Sequence, residues 1–584
     1  MNYREEYAKW LDGDLFDEET VRELKNLKDE KEIEDRFYKN LSFGTGGLRG
    51  VIGAGTNRMN AYTVGKASQG LADYINSVTD DGSVVIAYDS RRKSREFALR
   101  AALVFVANGL KAYLFDSLRP TPELSFAVRK LKTTAGVEIT ASHNPPEYNG
   151  YKVYWSDGAQ IIAPFDKEII ARVNGITDFS LIKTADETQA LKDGRLVIVG
   201  KEIDDAFVSE IEKTVVRRDV IEKYAGGIKI VYTPLNGTGK IPVLRVLNEL
   251  GFKDVSVVPE QAEPDGNFPT LKYPNPEDPA AFSYALALAE KTRADIVMAT
   301  DPDADRLGVY ARTRDGKYMP FTGNMSGILL LEYRLSQLKE KGLLPADPAD
   351  GAVVGTIVSS DMAKAVAKEY GVTYFEVLTG FKYIGEKVNA FERAVKENGG
   401  RPCGKKGAYE FLFGFEESYG CLIGTHARDK DAVVAVAALA EAAAYYKSKG
   451  LTLADAMENL YEKYGYYKET LFTQTFAGAD GADKIGALEE KFRSGAFDRI
   501  GDEKVVAKRD YEKSVRVSAD GEISALDLPK SNVIYFEFAD GWCAVRPSGT
   551  EPKIKFYIGV KGKSAADAES RVDKIKDYIT GIIG

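Results

Sequence analysis

The sequence predicts an α/β protein with three related α/β domains and a C-terminal α+β domain. Apolar runs rich in Val and Ile alternate with helical stretches, which is typical of mostly parallel sheets covered by helices. The chain has 584 residues, more than one hydrophobic core usually supports. We therefore expect mixed, mostly parallel sheets and domains at 1–215, 216–325, 326–460 and 461–584.

Each of the first three predicted domains contains three apolar runs, and the third run leads into a polar loop and a further short strand. The runs lie at 83–89, 111–116 and 136–142, then at 228–234, 254–260 and 295–301, and finally at 352–358, 372–378 and 408–415. Ligands of such sheets bind beyond the carboxyl ends of the strands. We therefore expect the three loops to carry the chemistry.

The remaining segments differ from this repeat. The first 40 residues have helical spacing, and the stretches near 175–200, 340–350 and 397–407 are predicted to be linkers or surface loops. Closely spaced strands are predicted at 533–538, 542–545 and 553–560, with a helix from about Ala565. This last pattern indicates a small antiparallel sheet.

Bulk composition excludes several classes of protein. A net charge of -9 disfavours general nucleic-acid binding. The three cysteines have no CxxC spacing, which disfavours a zinc site or a disulfide framework. The polar start and the lack of an apolar run of roughly 18 residues disfavour a signal peptide and a membrane span. We expect a cytoplasmic protein without membrane or nucleic-acid partners, and the oligomeric state stays open.

The loop Thr140-Ala141-Ser142-His143-Asn144-Pro145 follows the third run of the first set. A serine at a strand end is suited to act as a nucleophile when an adjacent His or Lys activates it. The alternative is a serine in an ordinary turn. An acyl-transfer triad is disfavoured because no GxSxG surrounds Ser142, and His426 is the only other histidine.

The equivalent loop of the second set is Asp301-Pro302-Asp303-Ala304-Asp305-Arg306. Carboxylates at alternate positions can converge on a hard cation, and Mg²⁺ is favoured because it commonly joins a few carboxylates to a phosphate. An EF-hand is excluded, because its sixth and twelfth positions are Arg306 and Arg312. The alternative is a solvated acidic turn.

Three further loops are suited to sugars or phosphates. The segment 414–420 (GFEESYG) offers carboxylates and hydroxyls for sugar oxygens, and 546–552 (RPSGTEP) combines an Arg fork with hydroxyls and exposed amides. The segment 44–50 (GTGGLRG) adds Arg49. Taken singly, the first two are also compatible with a simple polar turn, and 44–50 does not fit the dinucleotide fingerprint because Arg49 stands where the third Gly belongs.

Together these loops resemble the α-D-phosphohexomutase superfamily. TASHNP is similar to its phosphoserine loop, DPDADR to its metal loop, GFEESYG to its sugar loop and RPSGTEP to its phosphate loop, in the same order along essentially the whole chain. GTGGLRG and the Tyr148–Lys152 run resemble the phosphoglucomutase/phosphopentomutase branch, although Gly46 stands where many relatives have Ser. The resemblance implies four domains around a central cleft.

The resemblance also implies residue roles and a reaction. Ser142 carries the phosphoryl group, and Mg²⁺ is bound by Asp301, Asp303 and Asp305 together with the phosphoserine. The transferring group is surrounded by Arg49, His143, Lys152 and Arg306, with Lys152 as general acid/base. Substrate contacts are implied for Gly380, Lys382, Glu416, Ser418, Arg546, Ser548, Gly549 and Thr550.

The expected substrate is a small-molecule phosphosugar, and the expected reaction interconverts glucose 1-phosphate and glucose 6-phosphate. Glucose 1,6-bisphosphate would be both intermediate and activator. The alternatives on the same scaffold are phosphopentomutase, phosphomannomutase and glucose 1,6-bisphosphate synthase activity. A magnesium phosphatase using the DxD loop and a phosphosugar-binding protein without turnover are the alternatives from other classes.

Overall fold

The computed structural model describes residues 2–12, 15–44, 46–476, 481–547 and 553–583. The chain divides into two compact units. Unit 1 comprises Met1–Phe321, Ile384–Ala390 and Tyr419–Thr452, and unit 2 comprises Thr322–Tyr383, Phe391–Ser418 and Leu453–Gly584. Within the described ranges, we find no helix with both the length and the apolar character needed to cross a bilayer.

The helices alternate with strands through most of the chain, as the sequence predicts. The helices are α1 (Tyr3–Asp12), α2 (Glu18–Lys25), α3 (Glu30–Phe37), α4 (Ala61–Val78), α5 (Ser94–Ala107), α6 (Thr121–Leu131), α7 (Phe165–Gly175), α8 (Glu187–Lys192), α9 (Lys201–Lys213), α10 (Arg218–Tyr224), α11 (Lys240–Glu249), α12 (Ser283–Thr292), α13 (Gly323–Glu340), α14 (Met362–Tyr370), α15 (Phe381–Glu397), α16 (Ala432–Ser448), α17 (Leu453–Tyr464), α18 (Gly481–Ser494) and α19 (Ala565–Ile583). The strands are β1 (Gly47–Val51), β2 (Ser83–Tyr88), β3 (Lys111–Phe115), β4 (Ala135–Ile139), β5 (Tyr148–Trp155), β6 (Leu196–Val199), β7 (Lys229–Thr233), β8 (Asp254–Val257), β9 (Ile296–Thr300), β10 (Leu307–Arg312), β11 (Tyr318–Phe321), β12 (Gly351–Thr356), β13 (Thr373–Val377), β14 (Glu410–Glu416), β15 (Gly420–Leu422), β16 (Tyr466–Thr475), β17 (Arg499–Ile500), β18 (Glu503–Lys504), β19 (Ala507–Asp510), β20 (Val515–Ser518), β21 (Ile523–Ala525), β22 (Ile534–Phe538), β23 (Gly541–Pro547) and β24 (Lys553–Gly562).

The first sheet has the order β1-β5-β4-β2-β3-β6. Strands β4, β2, β3 and β6 are parallel, β5 pairs antiparallel with β4, and β1 pairs antiparallel with β5. Two expectations from the sequence are wrong here. The predicted linker at 175–200 contains α8 and the edge strand β6, and part of the predicted 44–50 loop is strand β1. Both strands are short and pair with strands that are distant in sequence, so local patterns do not reveal them.

The second and third sheets repeat the arrangement of the first. In the second sheet β7, the first strand of the second set, lies between β8 and β9, and the antiparallel β10 follows β9. In the third sheet β12 lies between β13 and β14 in parallel. The prediction of three related α/β domains is confirmed. The third strand of each set, β4, β9 or β14, ends at the carboxyl edge of its parallel strands, directly before a polar loop.

The C-terminal sheet is antiparallel, with the order β16-β24-β23-β22-β19-β20-β21. Alternate residues of β22, β23 and β24 form a core with α18 and α19, in which Phe492, Phe556 and Ile575 are fully buried. The predicted helix from about Ala565 is confirmed as α19. The opposite face carries Tyr535, Trp542 and other side chains that pack with residues following β12 and β13 in unit 2.

A cavity of about 230 Å³ in unit 2 contains a carboxyl group with a perturbed pKa. Glu469 of β16 lies in its wall, beside Asp361 and Tyr467. Burial raises the pKa of Glu469 to about 7, a hydrogen bond with Ser360 opposes the rise, and Asp361 adds to it. The folded protein therefore retains a proton that the unfolded chain releases above about pH 4.5.

We predict that this carboxyl makes unfolding pH-dependent between about pH 4.5 and 7. Because its pKa is raised, its contribution to stability is present below the unfolded pKa and is lost as pH rises to about 7. Glu469→Gln should therefore gain stability relative to the parent protein, by about 2 kcal/mol, between pH 5 and 8. Thermal unfolding across this range measures the difference. Glu569→Gln, at an exposed pair with Lys468, is the control, and equal pH slopes for both variants would contradict the prediction.

Candidate active site

Ser142 lies in the loop between β4 and β5 and is 3% exposed. Its Oγ donates a hydrogen bond of 2.7 Å to Oδ2 of Asp301 and lies 3.1 Å from Nδ1 of His143. The backbone φ angle of Ser142 is 51°, in the left-handed region, which residues other than glycine rarely adopt. The fold therefore aims the hydroxyl into the acidic loop after β9.

The three aspartates after β9 form one buried cluster. Oxygens of Asp301, Asp303 and Asp305 lie within 4.8 Å of one another. Burial and the two neighbouring carboxylates raise the pKa of Asp301 well above its usual range. Burial acts to raise the pKa of Asp303, but the Lys152 ammonium together with hydrogen bonds from Asp301 and Thr121 outweighs it and holds that pKa below its usual range. The cluster therefore has an excess of negative charge, which favours a proton or a cation.

Two lysines lie against the cluster. Lys152 Nζ is 2.7 Å from Asp303 and 3.6 Å from Asp305, and Lys430 Nζ is 3.2 Å from Asp305. Burial by itself lowers the pKa of Lys152, but Asp303 and Asp305 outweigh it and raise that pKa above its usual range. Asp429 joins this network through Lys430 at 3.3 Å and accepts a hydrogen bond of 2.6 Å from Tyr154.

The other predicted residues of unit 1 lie on the flanks of the same loops. Arg49, on β1, donates a hydrogen bond of 2.9 Å to Oδ1 of Asn144. Arg306 forms an ion pair with Glu277, and its backbone N–H donates to Asp301 Oδ1 at 3.0 Å. Burial, then Arg306 and Arg49, hold the pKa of His143 well below its usual range. His143 is therefore a neutral imidazole.

Unit 2 carries the remaining described site residues. Glu416 ends β14 and accepts a hydrogen bond of 2.8 Å from Ser418. Arg546 lies on β23. Burial raises the pKa of the Tyr557 phenol, Glu416 adds to the rise and Arg546 opposes it. Gly380 has a φ of 120° immediately before α15, whose first turn contains Lys382. The predicted residues Ser548, Gly549 and Thr550 lie outside the described residues.

The cluster in unit 1 fits a divalent metal ion. Oδ1 of Asp303 and Oδ1 of Asp305 are buried and have no hydrogen-bond partner among the described residues. Buried carboxylates normally find such partners, and an all-oxygen set is what Mg²⁺ prefers. A cation bound there would satisfy both oxygens and relieve the repulsion within the trio.

Family models match four consecutive segments of the chain. They describe domains I, II and III of phosphoglucomutase/phosphomannomutase as alpha/beta/alpha domains, at residues 40–179, 205–316 and 322–464. The model of the family's C-terminal domain matches residues 500–577. The chain belongs to the phosphoglucomutase/phosphomannomutase family. It is therefore an enzyme of the phosphotransferase/isomerase type.

Individual relatives extend over almost the whole chain. A phosphoglucomutase of Staphylococcus saprophyticus is 36% identical over 577 residues, covering 99% of this chain and 100% of the relative. A phosphoglucomutase of Staphylococcus aureus is 38% identical over 553 residues, covering 93% of this chain and 94% of the relative.

Solved structures of lower identity share the fold. Pp63/parafusin, a phosphoglucomutase from Paramecium in its open form, has a TM-score of 0.67 at 19% identity and covers 93% of this chain and 95% of its own. A phosphoglucomutase/phosphomannomutase family protein from Burkholderia thailandensis has a TM-score of 0.64 at 20% identity, covering 92% and 97%. At these identities the likeness supports the fold alone.

Sequence reasoning missed two cations that the fold brings to the family's serine and acidic loops. Lys430 follows the short strand β15, and Arg91 follows β2, the first strand of the first set. Arg91 donates hydrogen bonds to the backbone of the Ser142 loop. The rule that placed the other loops at strand ends applies to Arg91 as well, so its position was a usable signal. Lys430 had none, because its partner Asp305 is distant in sequence.

We predict that the trio binds Mg²⁺ and that Asp305→Asn weakens binding by roughly tenfold or more. The substitution removes a charge and one of the buried oxygens without a hydrogen-bond partner. Calorimetric titration with Mg²⁺, and the rise in melting temperature that Mg²⁺ produces, measure the effect. Asp315→Asn, in an exposed loop of unit 1, is the control. Equal Mg²⁺ affinity in the two variants would rule out the trio as the site.

Proposed function

We propose that this protein is a phosphoglucomutase that interconverts glucose 1-phosphate and glucose 6-phosphate through a phosphoserine at Ser142. The observation that carries the proposal is the 2.7 Å hydrogen bond from the Ser142 hydroxyl to the Asp301–Asp303–Asp305 cluster. The near full-length likeness to staphylococcal phosphoglucomutases supports glucose as the sugar. Neither a turn serine nor a solvated acidic turn accounts for two loops 159 positions apart meeting in a buried site.

The proposed reaction has two transfers. In the first, the bond between Ser142 Oγ and phosphorus breaks while phosphorus bonds to a free sugar hydroxyl, whose proton is transferred to Oγ. The product is glucose 1,6-bisphosphate. In the second, the bond between the other phosphate and its sugar oxygen breaks while phosphorus bonds to Ser142 Oγ, whose proton is transferred to the sugar oxygen, and the isomeric monophosphate is released. Trace glucose 1,6-bisphosphate is needed to phosphorylate the serine initially.

Charge neutralisation is the main demand of such transfers. Phosphoserine carries a charge of about -2 at neutral pH, and the substrate phosphate adds a similar charge. Lys152 is held as an ammonium ion by the aspartates, so it is suited to neutralise the charge of the transferring group. As a general acid/base, it would act as a proton donor before it acts as an acceptor. The neutral His143 imidazole, 3.1 Å from Ser142 Oγ, can hold the hydroxyl in position.

A Mg²⁺ ion held by Asp301, Asp303 and Asp305 with a phosphoserine oxygen would polarise the phosphoryl group. We assign Arg49 and Arg306 to the transferring phosphate, and Glu416 and Ser418 to the sugar hydroxyls. Contacts to the substrate are also proposed for Gly380 and Lys382. The non-reacting phosphate is assigned to the segment that contains Arg546, Ser548, Gly549 and Thr550.

Ser142→Ala should abolish detectable mutase activity, because the phosphoryl relay is lost. Intact mass and phosphopeptide mapping should show one phosphate on Ser142 in the parent protein and none at this position in the variant. Coupled assays with glucose, mannose and ribose phosphates measure the sugar preference, and glucose 1-phosphate should be the fastest substrate.

The matched control is Ser283→Ala, at an exposed serine at the start of α12, and it should retain full activity. Full mutase turnover by Ser142→Ala would overturn the proposal. Release of inorganic phosphate from the sugar phosphates by Ser142→Ala would instead identify a phosphatase.

A further inference from the structure

A buried arginine is bonded to the backbone of the serine loop at several points. Arg91 lies three residues after β2, and neither its side chain nor that of Asp89 is exposed to solvent. Its guanidinium donates hydrogen bonds to the carbonyl oxygens of Ser142 (2.6 Å), Asn144, Pro145 (2.8 Å) and Tyr148 (3.0 Å). One planar guanidinium is therefore hydrogen-bonded to four carbonyl groups along the segment between β4 and the start of β5.

The same segment also holds the loop from its other end. Asp89 Oδ2 accepts a hydrogen bond of 2.7 Å from Thr140 Oγ1, which in turn accepts the backbone N–H of Ser142 at 2.8 Å. Asp89 lies 3.4 Å from Arg91 in an ion pair. The Ser142 peptide is thus bonded on its N–H side through Thr140 to Asp89, and on its carbonyl side to Arg91.

These bonds act on a residue whose backbone is strained. The φ of 51° at Ser142 is disfavoured for a residue with a Cβ atom and persists only where the surroundings impose it. In an extended conformation the Oγ would no longer point in the same direction. The 2.7 Å contact with Asp301 therefore depends on the backbone being held in this conformation.

A second segment of unit 1 closes over the arginine. The Phe268 ring lies 5.1 Å from the Arg91 guanidinium carbon. A Cβ atom added to Gly266 would lie 2.5 Å from the backbone nitrogen of Arg92, so only glycine allows this approach. Burying an ion pair is costly unless its polar atoms are well bonded. Here Nη1 and Nη2 of the guanidinium are bonded to the serine loop, and Nε, which has no hydrogen-bond partner among the described residues, lies 3.4 Å from Asp89 Oδ2.

We propose that Asp89 and Arg91 are positioning residues that hold Ser142 in its left-handed conformation, so that Oγ is aligned for phosphoryl transfer. The inference rests on the proposed role of Ser142 and extends it. Neither side chain is exposed to solvent, so we expect neither to contact the substrate. Their loss should therefore slow the transfer step and leave binding of substrate and metal nearly intact.

Arg91→Lys tests this inference, because lysine retains the charge but cannot make the planar set of bonds. We expect kcat to fall by about 10²-fold, as for other small misplacements of a reacting group. The KM for glucose 1-phosphate should stay within about threefold, and Mg²⁺ affinity should be unchanged. Transfer of phosphate from glucose 1,6-bisphosphate to Ser142, followed by intact mass, should slow in proportion to kcat.

Arg92→Lys is the matched control, because Arg92 is exposed and its guanidinium donates a 3.3 Å hydrogen bond to the carbonyl of Pro146 in the same loop. It should keep kcat within twofold of the parent. A fall of less than fivefold in kcat, measured per mole of folded Arg91→Lys protein, overturns the inference.

If Arg91→Lys does not fold, Thr140→Val decides the question. It removes the hydroxyl that joins Ser142 to Asp89 and leaves the arginine in place. A fall in kcat of at least fivefold with unchanged KM supports the inference, and a smaller fall overturns it. A parent enzyme that turns over without phosphate on Ser142 would instead reject the proposed function, so the two failures are distinguishable.

Discussion

Negative charge buried in a small volume is the constraint on which the rest of the site depends. Asp301, Asp303 and Asp305 lie together without exposure to solvent, and such a group persists only with cations or protons beside it. Lys152 and Lys430 supply part of the positive charge that the aspartates need beside them. Oδ1 of Asp303 and Oδ1 of Asp305, which have no hydrogen-bond partner among the described residues, are suited to bind a divalent ion, and the same surroundings suit a phosphorylated serine.

The repeated sheet topology explains why these groups meet. In the first and second sheets the third strand is followed by an antiparallel strand, so β4 and β9 deliver equivalent loops. The first loop carries Ser142 and the second carries the aspartates. Two copies of one topology thus contribute different chemistry to one cluster. Within unit 2 the third copy places Glu416 at the corresponding strand end.

Rigid placement of the nucleophile and reactivity of the site are linked through the backbone. The Ser142 hydroxyl reaches Asp301 only because the peptide is held in a conformation that it would not adopt in a free loop. A site built this way needs little reorganisation at the moment of transfer. Its stability relies on buried charges such as Asp89 and Arg91, which contribute order to the loop rather than hydrophobic burial.

The sequence by itself determined the three-fold repeat of strands, the C-terminal antiparallel sheet and the loops of Ser142 and Asp301–Asp305, because these follow from local periodicity and the strand-end rule. It left out β1 and β6, which are edge strands whose partner strands are distant in sequence. The tertiary structure alone decided that Lys430 approaches Asp305, and it supplied the bonding partners of Arg91, whose position after β2 the strand-end rule could have marked. Those contacts join segments far apart in sequence, and no local pattern records distances in space.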